Sequence, residues 1–280
     1  MEKRLNIMVP MDFTAVSFKA LQFLNLLLEK NPVDLHLVHV IQVNAAEWAG
    51  TTDSSESIDR ARLHAQEQKA NRQFDELRKQ ASIGFTSAVV YGGLTTSLTR
   101  YAEQQRIDLI IMGTEGADGW FERISGSEAQ HVVRHTHIPV ITIQKDASIT
   151  PIHNILWVAD FAAEKQPEQS VQTIKTLQQL FGAQLHLLQI IQKDDAPKLD
   201  STLQQMQRFA TKLELEHYEI HFKSDDKVPD GVRNFNRETD MDLVLIGTHG
   251  RKGFSHVFYG SIAETLVNHC IRPLLTYHLK

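Results

Sequence analysis

One cysteine among 280 residues, Cys270, excludes an internal disulfide framework. No apolar run approaches the roughly 20 residues that span a bilayer as a helix. The opening stretch MEKRLNIMVPMDF holds too short an apolar segment for a secretory leader. Neither sign of charge dominates. Lys and Arg total 29 against 34 Asp and Glu, for a net charge of -5. The balance holds in both halves, with 15 basic and 18 acidic residues up to Thr150 and 14 and 16 beyond it. Such a surface offers no basic face to nucleic acid. Neither a nucleic-acid nor a membrane partner is expected, and a cytoplasmic location follows by elimination. Two phosphate-binding signatures are also missing. No GxGxxG follows the first apolar run, where VPMDFTAVS stands instead, and no GxxxxGK[ST] occurs anywhere. These absences argue against a usual nicotinamide-dinucleotide site and a P-loop NTPase.

What the chain does contain is a repeat. With 42% hydrophobic and 22% charged residues it has a globular composition. Arg106–Ile143 aligns with Asp240–Tyr277 at an offset of 134, with 13 of 38 positions identical. The identities include Asp108/Asp242, Gly113/Gly247, Gly116/Gly250, Gly126/Gly260, Ser127/Ser261 and Pro139/Pro273. NIMVPMDF at 6–13 matches NILWVADF at 154–161, and LHLVHVI at 35–41 matches LHLLQII at 185–191. The offset changes between these blocks, so the second half is shortened after its second strand, chiefly over 192–238. A repeat of this size is one domain long. The polar stretch QKDASITPI near 144–152 divides the chain into 1–145 and 152–280.

Each half alternates short apolar runs with helical periodicity. In the first half, strands are expected at Leu5–Val9, Leu35–Ile41, Thr86–Val90, Leu109–Met112 and Val140–Ile143. Helices are expected over Ser17–Glu29, Ile58–Gln80, Leu94–Gln105 and Glu128–His135. Strand followed by helix, repeated, implies an α/β fold with a mostly parallel sheet covered on both faces. Ligands of such sheets sit beyond the carboxyl ends of the strands, where strand order reverses. Asp12 and Asp160 end the first strand of each half. A carboxylate there can meet an amino group or ribose hydroxyls, or cap the next helix. Gly113 and Gly247 stand where a strand becomes a loop, and glycine there permits a positive φ and close backbone approach. Gly116 and Gly250 allow a further tight turn. Gly126-Ser127 and Gly260-Ser261 precede a helix whose first N–H groups are unpartnered, a terminus that suits a phosphate as well as a simple cap.

These segments resemble the universal stress protein family. GTEGADGWFERISGS at 113–127 and GTHGRKGFSHVFYGS at 247–261 both match the family pattern of Gly, two residues, Gly, nine residues, Gly, then Ser or Thr. VPMDFTAVSFKAL, VYGGLTTSLTRYAEQQRIDLIIMG, HIPVITI and IRPLLTY resemble the segments around it. The chain is identified as a tandem member, and the resemblance implies two Rossmann-like domains of five strands each. It implies a stress-response role and, in many members, an adenine nucleotide, usually ATP, with Mg2+ as a conceivable companion; other members bind none. Carried over, Asp12 or Asp160 would contact the nucleoside. The chain at Val40 or Ile190 would lie against adenine. The glycines with Ser127 or Ser261 would hold ribose and phosphates.

The two loops differ in charge. Arg251 and Lys252, with His249, suit a polyphosphate. Glu115, Asp118 and Glu122 against Arg123 repel one unless they face solvent or hold a bridging metal. The phosphate side therefore favours the second half, while its shortened segment after Ile190 puts the adenine wall in doubt. No residue is an evident general base for water, so a catalytic set is not expected, and slow ATP hydrolysis ranks below binding. A nucleotide-free scaffold for another small ligand or an unidentified protein partner is the alternative. His131 and His135, with His137 nearby, read as surface histidines rather than metal ligands. Cys270 reads as a packing residue, and Trp120 and Phe121 as residues of a domain or subunit contact. The two halves are expected to form an internal pseudo-dimer about an approximate twofold axis, with the edges of the two fifth strands covered; a homodimer of chains remains conceivable.

Overall fold

The computed structural model describes residues 4–28, 33–43, 55–81, 83–115, 128–161, 167–191, 199–249 and 272–279. The described first half runs β1 (Leu5–Pro10), α1 (Ala15–Leu28), β2 (Val33–Ile41), α2 (Ser55–Gln80), β3 (Thr86–Tyr91), α3 (Leu94–Gln104), β4 (Leu109–Thr114), α4 (Glu128–His135) and β5 (Val140–Gln144). The second runs β6 (Asn154–Val158), α5 (Glu168–Phe181), β7 (Gln184–Ile191), α6 (Leu199–Lys212), β8 (Tyr218–Ser224), α7 (Val228–Thr239), β9 (Leu243–His249) and β10 (Leu274–Leu279). Every strand expected in the first half is present. β2 starts two residues earlier than its apolar run because Val33 and Asp34 pair with Leu5 and Asn6 of β1.

All ten strands form one sheet in the order β3-β2-β1-β4-β5-β10-β9-β6-β7-β8. Within each half every pairing is parallel. The single antiparallel pairing joins the halves: Val140, Ile141 and Thr142 of β5 stand opposite Thr276, Leu275 and Leu274 of β10. Ile141 and Leu275 are equivalent under the offset of 134, so a pseudo-twofold axis passes through that pair. The side chains obey it too. Thr142 Oγ1 donates to the carbonyl of Leu274, and Thr276 Oγ1 donates to that of Val140, each at 3.3 Å in buried surroundings. The pseudo-dimer is therefore a sheet closed edge to edge, which removes two open edges at once.

The antiparallel seam has a directional consequence. Strands of the first half run one way and those of the second run the other. The carboxyl ends of the two half-sheets therefore lie along opposite edges of the shared sheet.

One face of the sheet carries a core that crosses the seam. Phe23, Leu24 and Leu27 of α1, Phe74 of α2, Trp157 of β6, Phe181 of α5 and Leu275 and Tyr277 of β10 belong to it. Phe23 and Phe181 meet edge to face at 6.4 Å, one from each half. Ala70 and Phe74 bury one stripe of the otherwise polar α2, as its spacing predicts. The other face holds two separate clusters, around Val38, Leu98, Ile110 and Val132 in the first half and around Leu188, Val232, Phe235 and Val244 in the second.

The repeated aspartates Asp108 and Asp242 have a structural role. Each begins the strand beside the first strand of its half. Asp108 Oδ2 accepts from the Asn6 amide at 3.1 Å, and Asp242 Oδ2 from those of His153 and Asn154 at 2.9 Å. The aspartate amides donate back to the carbonyls of Asn6 and Asn154. The reciprocal pair pins the amino ends of β1 to β4 and of β6 to β9.

Trp157 is fully buried, and its indole N–H donates to Tyr277 Oη at 2.7 Å. Tyr277→Phe removes that acceptor and should cost about 1–3 kcal/mol in urea unfolding; an unchanged midpoint would refute this role. A second expectation concerns acid. Burial lowers the pKa of His36, against the opposing charge of Asp34. Burial also lowers that of His278, against its bond to the Val133 carbonyl and aided by His137 and His135. Both imidazoles accept a proton less readily than in the unfolded chain, where histidine charges near pH 6.5. Their contribution is fully present above that value and declines as pH falls below it. The urea midpoint should drop between pH 7.5 and 5.5, and less so in His278→Gln; a midpoint that is flat or rises on acidification contradicts the assignment.

Candidate functional site

Strand order reverses between β1 and β4, and a cleft of about 310 Å³ opens there beyond their carboxyl ends. Asp12, Val40 and Gly113, three of the residues singled out from sequence, line it. Asp160, Ile190 and Gly247 occupy the matching positions beyond β6, near the end of β7 and in β9. Gly116, Gly126, Ser127, Gly250, Arg251, Lys252, Gly260 and Ser261 lie outside the described residues, as do Trp120, Phe121 and Cys270.

Asp12 sits in a tight turn between β1 and α1. Its Oδ1 accepts from the Thr14 amide at 2.9 Å and from Thr14 Oγ1 at 2.7 Å. Partial burial pushes its pKa up, but the hydrogen bonds from Thr14 and Ser17 outweigh that and hold it below the ordinary aspartate value. The carboxylate is thus kept ionised at the mouth of the cleft. Phe13, between them, has φ of 62°, a left-handed conformation unfavourable for a bulky residue. Its ring is held by Phe74 at 5.0 Å and His39 at 5.3 Å. His39 Nδ1 bonds to the Met11 carbonyl at 2.6 Å, so the chain before Asp12 is anchored as well. Local strain secured by packing on both sides is a feature of preorganised sites.

Gly113 is explained by packing and not by φ. Among the described glycines positive φ occurs at Gly92 and Gly182. A Cβ on Gly113 would stand 2.6 Å from the carbonyl carbon and Cγ1 of Val16, and closer still to the carbonyl oxygen. The first turn of α1 therefore lies directly on β4, with Asp12 just before it. At Gly247 the neighbour is different: a Cβ would meet the side chain of Leu279 at 2.8 Å. Lys145 holds the matching place in the first half, 3.2 Å from Glu115. Among the described residues, the glycine thus meets a helix backbone in the first half and a leucine side chain in the second.

The lining of the cleft is mixed: Val38, Val40, Leu94 and Met112 are apolar, and Asp12, Glu115 and Glu128 carry carboxylates. Gln42 Nε2 donates to Glu128 Oε1 at 2.9 Å, linking the end of β2 to the first turn of α4. Glu128 is an acidic residue at a helix amino end, where a phosphate would also gain from the dipole. Gln42, Phe13, His39 and Glu128 were not singled out by sequence reasoning. The available signal was slight: Glu128 directly follows the Gly-Ser of the motif, and Asp12-Phe13-Thr14 has the spacing of an aspartate turn.

In the second half Asp160 Oδ1 accepts from Gln189 Nε2 at 3.3 Å, and Gln189 Oε1 accepts from the Phe161 amide at 3.2 Å. Gln189 is the counterpart of His39. His131 and His135 stack at 6.1 Å, and His135 Nδ1 donates to the His131 carbonyl, an internal helix contact. Among the described residues they gather no third metal-ligating group.

Profile comparison finds the universal stress protein family over residues 3–144 and again over 151–278. The chain belongs to that family. Its two copies account for nearly the whole sequence. Universal stress protein MJ0531 of Methanocaldococcus jannaschii is 24% identical over 139 residues, covering 50% of this chain and 81% of that protein. Universal stress protein MJ0577 of the same organism is 23% identical over 155 residues, covering 51% and 96%. The crystal structure of a universal stress protein from Archaeoglobus fulgidus superposes with a TM-score of 0.73 at 18% identity, covering 98% of both chains. That of a putative universal stress protein from Pseudomonas aeruginosa gives 0.63 at 15% identity, over 98% and 93%. These likenesses establish the tandem fold. No described helix is long and apolar enough to cross a membrane.

The packing at Gly113 is open to test. Gly113→Ala should destabilise the chain by about 2–3 kcal/mol, because backbone must move. Urea unfolding measures the loss; an unchanged midpoint would show that Gly113 does not hold α1 against β4.

Proposed function

We propose that this universal stress protein binds an adenine nucleotide, and that the first-half cleft receives its nucleoside portion. The observation that carries this reading is the cleft at the β1/β4 reversal, whose lining combines Asp12, held ionised by its hydrogen bonds, with the apolar residues Val38, Val40, Leu94 and Met112. The apolar residues suit a flat base. Asp12 suits ribose hydroxyls or an exocyclic amino group as a charge-assisted acceptor. Glu115 and Glu128 stand toward the loop that would hold phosphates, so this half favours a nucleoside or monophosphate over a bare triphosphate. A bridging Mg2+ would relieve the repulsion.

In this reading the second half is a separate site, suited to a polyphosphate. Asp160, Ile190, Gly247, Gly250, Gly260 and Ser261 would frame it, with Arg251 and Lys252 adding positive charge. The protein acts as a binding module in stress tolerance, and hydrolysis is not required of it.

Calorimetric titration of the whole chain with adenosine, AMP, ATP and ATP with Mg2+ tests the proposal. Saturable adenosine or AMP binding, weakened about 10-fold or more by Asp12→Asn, is expected from loss of a charged acceptor. Folded protein that binds none of the four would overturn the reading in favour of a nucleotide-free scaffold. Binding insensitive to Asp12→Asn but lost in Asp160→Asn would move the nucleoside to the second half.

A further inference from the structure

A cluster in the outer sheet of the second half has no counterpart in the first, although the two halves share a template. His36 of β2 and His186 of β7 are matching residues. In the first half His36 Nδ1 bonds to Tyr101 Oη at 2.9 Å, and its neighbours across the strand pair are Thr86 and, two positions on, Ala88. In the second half Phe235 replaces Tyr101, so that hydroxyl is gone. At the positions of Thr86 and Ala88 stand Glu219 and His221 of β8. Loss of the partner and gain of two ligating side chains fall on the same spot.

The three groups converge. His186 Nδ1 is 2.9 Å from His221 Nε2 and 3.7 Å from Glu219 Oε2, and His221 Nε2 is 3.5 Å from Glu219 Oε2. The point equidistant from these three atoms lies about 2.0 Å from each, the bond length of Zn2+ to imidazole nitrogen and carboxylate oxygen. The orientation of His186 is set from behind. Its Nε2 lies 3.2 Å from Asn154 Oδ1, an atom that only accepts. Nε2 therefore carries the hydrogen and Nδ1 presents its lone pair toward His221 and Glu219. Histidines that ligate metals are fixed in orientation by this kind of hydrogen bond from the other ring nitrogen. His221 is held by the Phe235 ring at 5.1 Å. The His186 side chain is 10% exposed and that of Glu219 58%, so the cluster has a rigid floor and an open side facing water.

We propose that His186, His221 and Glu219 form a binding site for one borderline divalent transition-metal ion, with Zn2+ as the probe and water at the fourth position. Two imidazoles and one carboxylate favour such an ion over Mg2+ or Ca2+, which take oxygen ligands. Binding shifts the His221 hydrogen from Nε2 to Nδ1, so that both facing nitrogens donate lone pairs to the ion. The site ties the edge strand β8 to β7. It stands apart from the switch-point cleft and does not depend on nucleotide binding.

Zn2+ titration of the whole chain against a chromophoric chelator, with X-ray absorption of the complex, tests the site. One equivalent should bind with two imidazole ligands in the absorption spectrum. His221→Asn and Glu219→Gln should each weaken it about 10- to 100-fold, while the double variant His131→Asn/His135→Asn leaves it unchanged. Glu219 is exposed, so Glu219→Gln keeps the test informative if a histidine variant misfolds, and circular dichroism establishes the fold of each. Folded wild type that binds no Zn2+ at about 100 μM, or binding that survives both His221→Asn and Glu219→Gln, overturns the proposal; so does binding that the His131/His135 double variant abolishes.

Discussion

The antiparallel pairing of β5 with β10 is the interaction on which the rest of this molecule depends. Two half-sheets of five parallel strands would each leave an unpaired edge of backbone donors and acceptors. The seam pairs those edges across three residues from each side, related by the repeat itself, and lets one core run beneath both halves. It also sets polarity. Because the pairing is antiparallel, the carboxyl ends of the two half-sheets face opposite directions, and their switch-point regions cannot share a ligand. Whatever binds at either reversal must be held by residues of that half alone.

Separate sites free each copy to diverge, and the described residues record that divergence. His39, bonded to the backbone beside Asp12, has become Gln189, bonded to Asp160 itself. Lys145, paired with Glu115, has become Leu279, packed on Gly247. Tyr101, the partner of His36, corresponds to Phe235, which packs on His221. The fold tolerates each change because the seam and the pairs made by Asp108 and Asp242 lie elsewhere. Physical differences are thus concentrated near the strand ends and the outer strands, while the repeated identities of the sheet serve geometry.

The fold was legible in the sequence because its signals are local or repeated. Short apolar runs mark strands, a stripe at helical spacing marks α2, and the two copies of the glycine pattern mark the same strand-to-loop transition. Asp12 and Gly113 could be placed near one cleft because strand ends follow from that alternation, and Val40 because the family resemblance implies that the end of the second strand lies against the ligand. Other features depend on long-range register and escaped it. Gly113 is required by the approach of Val16, almost a hundred residues earlier. Gln42 and Glu128 meet across 86 residues. His186, Glu219 and His221 converge only once β7 and β8 are set side by side in a register that no local pattern dictates. Asp12 both closes the turn into α1 and lines the cleft.

Chemical-shift mapping by NMR on the whole chain, as AMP is added, tests the central claim that a ligand is held within one half at the β1/β4 reversal. The account predicts perturbations centred on Asp12, Val40 and Gly113, with the seam residues Val140–Thr142 and Leu274–Thr276 unmoved. Shifts centred on the seam, or spread equally over both edges of the sheet, would contradict it.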